Sequence, residues 1–317
     1  MELLNVWWMW SGFAVLVIFI FFIDLFVGGG KQHRVSFKEA AIWSVIWIVV
    51  ACIFNTAIWV YLDIHAGREL ANEKALEFFT GYLIEKALAI DNFFVWLMLF
   101  KYFSIPAELQ RRVLLFGVLG AIVMRTGMIF AGTWLISQFH WILYVFGGFL
   151  VMTAIKMIWA ADKEPDWANN PLILWLRHHL NITHKLHDEK FIVIQKGVRY
   201  VTPLFLVLLL VEISDLIFAV DSIPAIFAIT TDPFIVLTSN IFAIMGLRAM
   251  YFLLADFADR FVFLKYGLAA ILLFIGCKML LMNIVKIPIM LSLGVVAVIL
   301  AISVIASIVH NRRHKDN

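Results

Sequence analysis

The chain has 317 residues, 63% of them hydrophobic and only 15% charged, with a formal net charge of +3. A water-soluble chain of this length has too little polar surface to cover so much apolar area, which excludes an ordinary soluble domain and makes lipid the matching solvent. No nucleic-acid partner is expected. The opening residues Met1–Asn5 carry neither a basic region nor a small-residue cleavage site, so the first apolar run is expected to stay as a spanning helix.

A spanning helix needs about 20 apolar residues. Nine runs qualify: 7–27, 39–62, 78–101, 111–136, 139–160, 201–230, 233–255, 260–282 and 287–309. The first opens on Trp7, Trp8 and Trp10, as at a membrane interface, and ends at Gly28-Gly29-Gly30. The second carries Cys52 and the eighth Cys277, each expected to be packed as a small apolar residue rather than paired. The sixth is too long for one straight crossing, and Pro224 within it removes a helix hydrogen bond, so a break or kink is expected there. Between the fifth and sixth runs, residues 161–199 hold Leu172–Leu176 and the histidines His178, His179, His184 and His187. This loop reads as an amphipathic segment on the membrane surface. A histidine metal-sensing patch is the alternative.

Seventeen lysines and arginines fall in alternate connections, including the 161–199 loop and the tail, against three in the others: Arg68, Lys74 and Lys286. The positive-inside rule then places the N-terminus outside and, with nine spans, the C-terminus in the cytoplasm.

Two of the runs carry related acidic segments. Gly81–Phe93 contains Glu85, Lys86, Asp91 and Asn92; Val211–Pro224 contains Glu212, Ser214, Asp215, Asp221 and Ser222. Aligned, Glu85 falls on Asp215, Ala89 on Ala219, Asp91 on Asp221 and Asn92 on Ser222. The likeness continues: Met124-Arg125 resembles Leu247-Arg248, and Tyr144 with Lys156-Met157 has the spacing of Tyr266 with Lys278-Met279. The orientation makes the two segments antiparallel. The expected architecture is therefore all-α and polytopic, with nine transmembrane helices and an inverted 3+3 repeat. It divides into helices 1–2 (residues 1–74), a first acidic repeat of helices 3–5 (75–160), the cytoplasmic loop (161–199), a second, inverted repeat of helices 6–8 (200–283), and helix 9 with a basic tail (284–317).

An aspartate in hydrocarbon costs roughly 2.5–3.5 kcal/mol on insertion scales. Duplicated carboxylates thus suggest a cation site between repeats, near the midplane. At 100° per residue Glu85 and Asn92 share a stripe, as do Asp215 and Ser222, with Glu212 close to the latter. Asp91 and Asp221 point elsewhere on a regular helix, so either the helix unwinds or they serve a different contact. The expected metal shell is Glu85, Asp91, Asn92, Glu212, Asp215, Asp221 and Ser222, hard oxygen donors that suit Mn²⁺, Mg²⁺ or Ca²⁺. Asp24 either faces Lys86 or lies at the cytoplasmic interface. Arg125 and Arg248 read as members of buried ion pairs. Buried, closely spaced carboxylates bind protons readily, which makes protons the expected counter-ion. No phosphate-binding Gly-x₄-Gly-Lys-Ser/Thr, His-Glu-x-x-His or Gly-x-Gly-Asp element occurs, so no ATP drive, enzymatic activity or tightly bound cofactor is expected.

Glu85–Val95 and Glu212–Ala225, with Asn240–Leu254, resemble the paired signatures of the TerC family of integral membrane proteins, nearest its Alx-like bacterial members. The resemblance covers nearly the whole chain and is weakest in 161–199. It implies a nine-span inner-membrane protein of the LysE-type transporter group and manganese(II) as the exported ion. It also implies an association with tellurite resistance, and places the family's acidic positions on Glu85, Asp91, Glu212, Asp215 and Asp221. Export of another divalent cation such as calcium, or a non-transporting scaffold, are the alternatives.

Overall fold

The computed structural model describes residues 4, 6–28, 36–159, 171–183, 186–187, 189–195, 197–255 and 263–315. The chain is built of helices: α1 (Trp7–Gly28), α2 (Phe37–Ala66), α3 (Arg68–Tyr102), α4 (Ala107–Gln138), α5 (Ile142–Trp159), α6 (Pro171–His179), α7 (Pro203–Phe227), α8 (Pro233–Met245), α9 (Leu247–Ala255), α10 (Leu264–Leu280) and α11 (Ile289–Lys315). Among the described residues, six helical stretches are long and apolar enough to cross a membrane: α2, α4, α5, α7, the joined α8–α9, and 289–310 in α11.

Local chemistry sets the ends. Ser36 accepts a hydrogen bond from the Glu39 backbone N–H and starts α2 in a Ser-x-x-Glu arrangement. Thr202 and Asp232 cap α7 and α8, each followed by a proline at the first helical position. Helix α3 starts ten residues before the expected span, because Glu69, Glu73, Lys74 and Glu77 make its first turns polar. At about 1.5 Å per residue its 35 residues exceed a hydrocarbon core about 30 Å thick.

Three expectations are corrected. Pro224 lies in the last turn of α7, which runs through it and ends at Phe227; the long sixth run was the helix together with the last strand residue, Val201, its cap and a terminal turn. The break falls instead at Gly246, between α8 and α9, in the run expected to be one helix. A Cβ on Gly246 would stand 2.6 Å from Lys86 Nζ and 3.1 Å from Trp47 Cβ, so any larger residue would push the lysine and tryptophan side chains aside. Cys52 and Cys277 are free and exposed on the outer faces of α2 and α10. In a membrane bundle an apolar run faces lipid as readily as it faces the interior.

The 161–199 loop contains more than an amphipathic segment. Ile173 and Leu176 of α6 are buried against the bundle while Leu174 and Trp175 face outward. An antiparallel hairpin, β1 (Ile192–Gln195) with β2 (Val198–Val201), turns at Gly197, whose φ is 81°. His178 and His179 lie on α6, whereas His187 meets Gln195; His184 lies outside the described residues. Among the described residues they form no metal cluster.

Helix α8 is the centre of the bundle. Along α8–α9, 89% of the apolar window is buried, against 17% in α11. Around it α3 packs on α8, α2 and α7, and α4 packs on α7 and α8. Helices α5 and α10 form the most extensive pair and cross where Gly147 and Gly276 bring their backbones together.

Candidate functional site

Helices α3, α4, α7 and α8 each send polar side chains to one point. Helical spacing puts Glu85 and Asn92 on one face of α3, and Asp215 and Ser222 on one face of α7. Arg125 of α4 lies between them. Its Nη2 donates to Asp215 Oδ1 at 2.8 Å and its Nε to Asp215 Oδ2 at 3.1 Å, a two-pronged pairing. Its Nη1 pairs with Glu85 and also donates to Ser222 Oγ at 3.2 Å and Asn240 Oδ1 at 3.4 Å. Asn240 Nδ2 donates to Glu85 Oε2 at 3.1 Å, and Asn92 Nδ2 to Asp215 Oδ1 at 3.0 Å. None of these six residues is more than 2% exposed. One guanidinium thus holds the two carboxylates that the sequence alignment pairs. The Asn92 Oδ1 atom is buried with no hydrogen-bond donor.

A cavity of about 230 Å³ adjoins this cluster. Glu85, Asn92, Arg125 and Ser222 line one side, and Thr153, Lys156 and Asp221 complete its polar wall. The helix stays regular through Asp221, so the aspartate does turn away from Asp215. Its Oδ1 accepts from Thr153 Oγ1 of α5 at 2.9 Å, across the same cavity. Glu212 is not in the cluster. Its carboxylate lies against Gly120 of α4, where a Cβ would come within 2.4 Å of both oxygens, and its Oε2 is buried without a partner. The side chains of Asp91 and Asp24 lie outside the described residues.

Lys86 does not neutralise these carboxylates. Its ammonium lies 5.7 Å from the Tyr82 ring centroid and against Gly246, at the C-terminal end of α8. The partial negative charge of a helix C-terminus and the ring face both favour a cation there. Among the described residues, no group of three or more Asp, Glu, His or Cys side chains is arranged to hold a metal. Arg125 fills the position between the two shared carboxylates. A second polar group joins the α2–α3 and α7–α8 ends: Lys74 Nζ pairs with Glu77 Oε2 at 2.8 Å, and Thr230 Oγ1 donates to the same oxygen at 2.7 Å.

Spacing found Glu85, Asn92, Asp215, Ser222 and Asp221 as cavity or cluster residues. It missed Asn240 and Thr153 as partners, and it missed that Arg125 serves both carboxylates at once. An amide and a cation inside apolar runs were the available signals, but a linear sequence does not say which faces meet.

These features define a polytopic helical membrane protein with a buried ionic cluster beside a cavity. Residues 70–315 match the family described as integral membrane protein TerC family. The chain is 59% identical over 309 residues to the Salmonella typhi protein named "Putative membrane-bound redox modulator Alx", covering 97% of this chain and 96% of that one. The protein of the same name from Escherichia coli (strain K12) is 59% identical over 307 residues, covering 96% of each. The Myxococcus xanthus membrane protein STKORF319 is 45% identical over 304 residues, covering 96% of this chain and 93% of that one. The chain belongs to the TerC family. No solved structure matches it.

Proposed function

We infer that this chain is a secondary transporter of the bacterial inner membrane that exports manganese(II) from the cytoplasm through its intramembrane carboxylates, with protons as counter-ion. The observation that carries the reading is the pair Glu85 and Asp215, fully buried, drawn together from two related segments beside a cavity. Carboxylates so placed are costly unless they have a charge to bind. Asn92, Ser222 and Asp221 add hard oxygen atoms around the same space, and Glu212 and Asp91 belong to the proposed shell from the sequence.

The reading includes nine spans, an external N-terminus, a cytoplasmic C-terminus, and inverted repeats at 75–160 and 200–283. The packing supports the repeat. Helix α3 packs on α8 while α7 packs on α4, and α5 packs on α10. These are the exchanges required by a two-fold relation between α3–α4–α5 and α7–α8/α9–α10. Alternating access then follows from rocking one repeat against the other.

Oxygen donors also accept calcium and magnesium, so the choice of manganese rests on the family resemblance and is the point to test. Flux of Mn²⁺, Ca²⁺, Mg²⁺ and Zn²⁺ in proteoliposomes, with and without a proton gradient, decides it. Preferential Mn²⁺ flux that responds to the gradient is expected. Flux unchanged on collapsing the gradient removes proton coupling, preference for another ion reassigns the cargo, and no flux of any cation leaves the scaffold alternative.

A further inference from the structure

The cluster contains its own cation. Two carboxylates from different segments converge on one guanidinium, which uses both edges to reach them. Charge makes this arrangement and a bound divalent ion exclusive. Glu85, Asp215 and Arg125 together carry a single negative charge. A divalent ion added beside Arg125 would turn that into a net positive charge in a site closed to water, whereas a divalent ion in place of Arg125 leaves the site neutral.

Resting on the transport reading above, we propose that Arg125 is a tethered counter-cation: its guanidinium holds the place between Glu85 and Asp215 that the transported ion takes, and swings into the adjoining cavity when the ion loads. The cavity is bordered by Arg125 itself and has Asp221 and Lys156 on its polar wall, so a displaced guanidinium stays beside a carboxylate, which it shares with the lysine. The arrangement around Arg125 is also incomplete as a purely structural ion pair. Asn92 Oδ1 is buried with no donor, and the contact of Nη1 with Asn240 Oδ1 is long at 3.4 Å. These oxygens are the groups a metal ion would complete.

The device has a kinetic meaning. After the ion leaves, Arg125 returns and cancels one of the two negative charges, and a counter-ion proton takes the other, so the empty carrier can reorient without unpaired buried charge. Without the arginine, a loaded carrier still moves and an empty one stalls.

The test uses the purified full chain, with Mn²⁺ as the probe in an equilibrium binding assay, followed by flux in proteoliposomes. Arg125→Gln is expected to bind Mn²⁺ at least about tenfold more tightly than wild type, and Arg125→Lys, which keeps charge but loses the two-pronged fit, about threefold. Arg125→Gln is expected to lose net efflux while retaining Mn²⁺–Mn²⁺ exchange across the membrane, a split that a merely structural role does not produce. Equal or weaker binding in both variants, with wild type binding Mn²⁺, overturns the proposal and leaves the transport reading standing. Should the glutamine variant not fold, the lysine variant decides alone: binding no tighter than wild type overturns the proposal. Wild type that binds no divalent cation overturns the transport reading, and this inference with it.

Discussion

At the scale of single residues, Asp215 is the member of the cluster with the most to lose. It accepts two bonds from Arg125 and one from Asn92. Asp215→Asn keeps the volume and removes the charge, and each lost charge-assisted bond is worth on the order of 1.5–3 kcal/mol. We predict loss of Mn²⁺ flux with normal membrane insertion, and a lower unfolding temperature in detergent. Asp91→Asn is expected to lose flux too, since its counterpart Asp221 reaches the cavity. Near wild-type flux in both variants would remove the carboxylate site. The sequence made these residues visible because a charge inside an apolar run is costly wherever it faces. It did not reveal their grouping: Glu212 shares the stripe of Asp215 yet meets Gly120, and Asp221, on another face, reaches the cavity through Thr153.

At the scale of elements, the close crossing of α5 and α10 depends on missing side chains. A Cβ on Gly276 would meet Val151 Cγ2 at 2.8 Å, Gly147 O at 2.9 Å and Val151 N at 3.0 Å. Two of those three atoms are backbone, so the helices must part. Gly276→Ala is predicted to cost about 1–3 kcal/mol, read as a drop in thermal stability. Gly12→Ala on α1, where nothing lies within 4 Å, should stay within about 0.5 kcal/mol of wild type. Equal effects would show that the crossing does not carry stability. The positions of the helices were legible because the apolar runs coincide with them. The hairpin was not, although Ile192–Ile194 and Val198–Val201 flank a two-residue turn ending in glycine; four-residue strands in a polar loop give a short signal. Nor was the break at Gly246, a weak helix former that sits inside an otherwise continuous apolar run.

At the scale of the whole molecule, the arrangement of charge predicts how the protein lies in the membrane. Single cysteines placed in 161–199, in a chain lacking Cys52 and Cys277, are expected to resist an impermeant thiol reagent added outside intact cells and to react after the membrane is opened. Labelling from outside would reverse the orientation.

The buried position of α8–α9 also bears on how the chain is made. This stretch has a mean hydropathy of 1.5, the lowest of the six, and carries Thr238, Ser239 and Asn240, all fully enclosed. Thr238 and Ser239 bond back to carbonyls of their own helix, but the Asn240 amide is partnered only by Glu85 and Arg125 of other helices. On its own the stretch is a poor candidate to leave the insertion machinery for bare lipid, since that amide would face hydrocarbon unsatisfied. Its packing partners α1, α2, α3 and α4 all precede it in the chain, and α3 brings Glu85 to receive Asn240. Synthesis from the N-terminus therefore has a reception surface assembled before the least lipid-compatible segment emerges, so assembly order and the polarity of the site are two sides of one constraint.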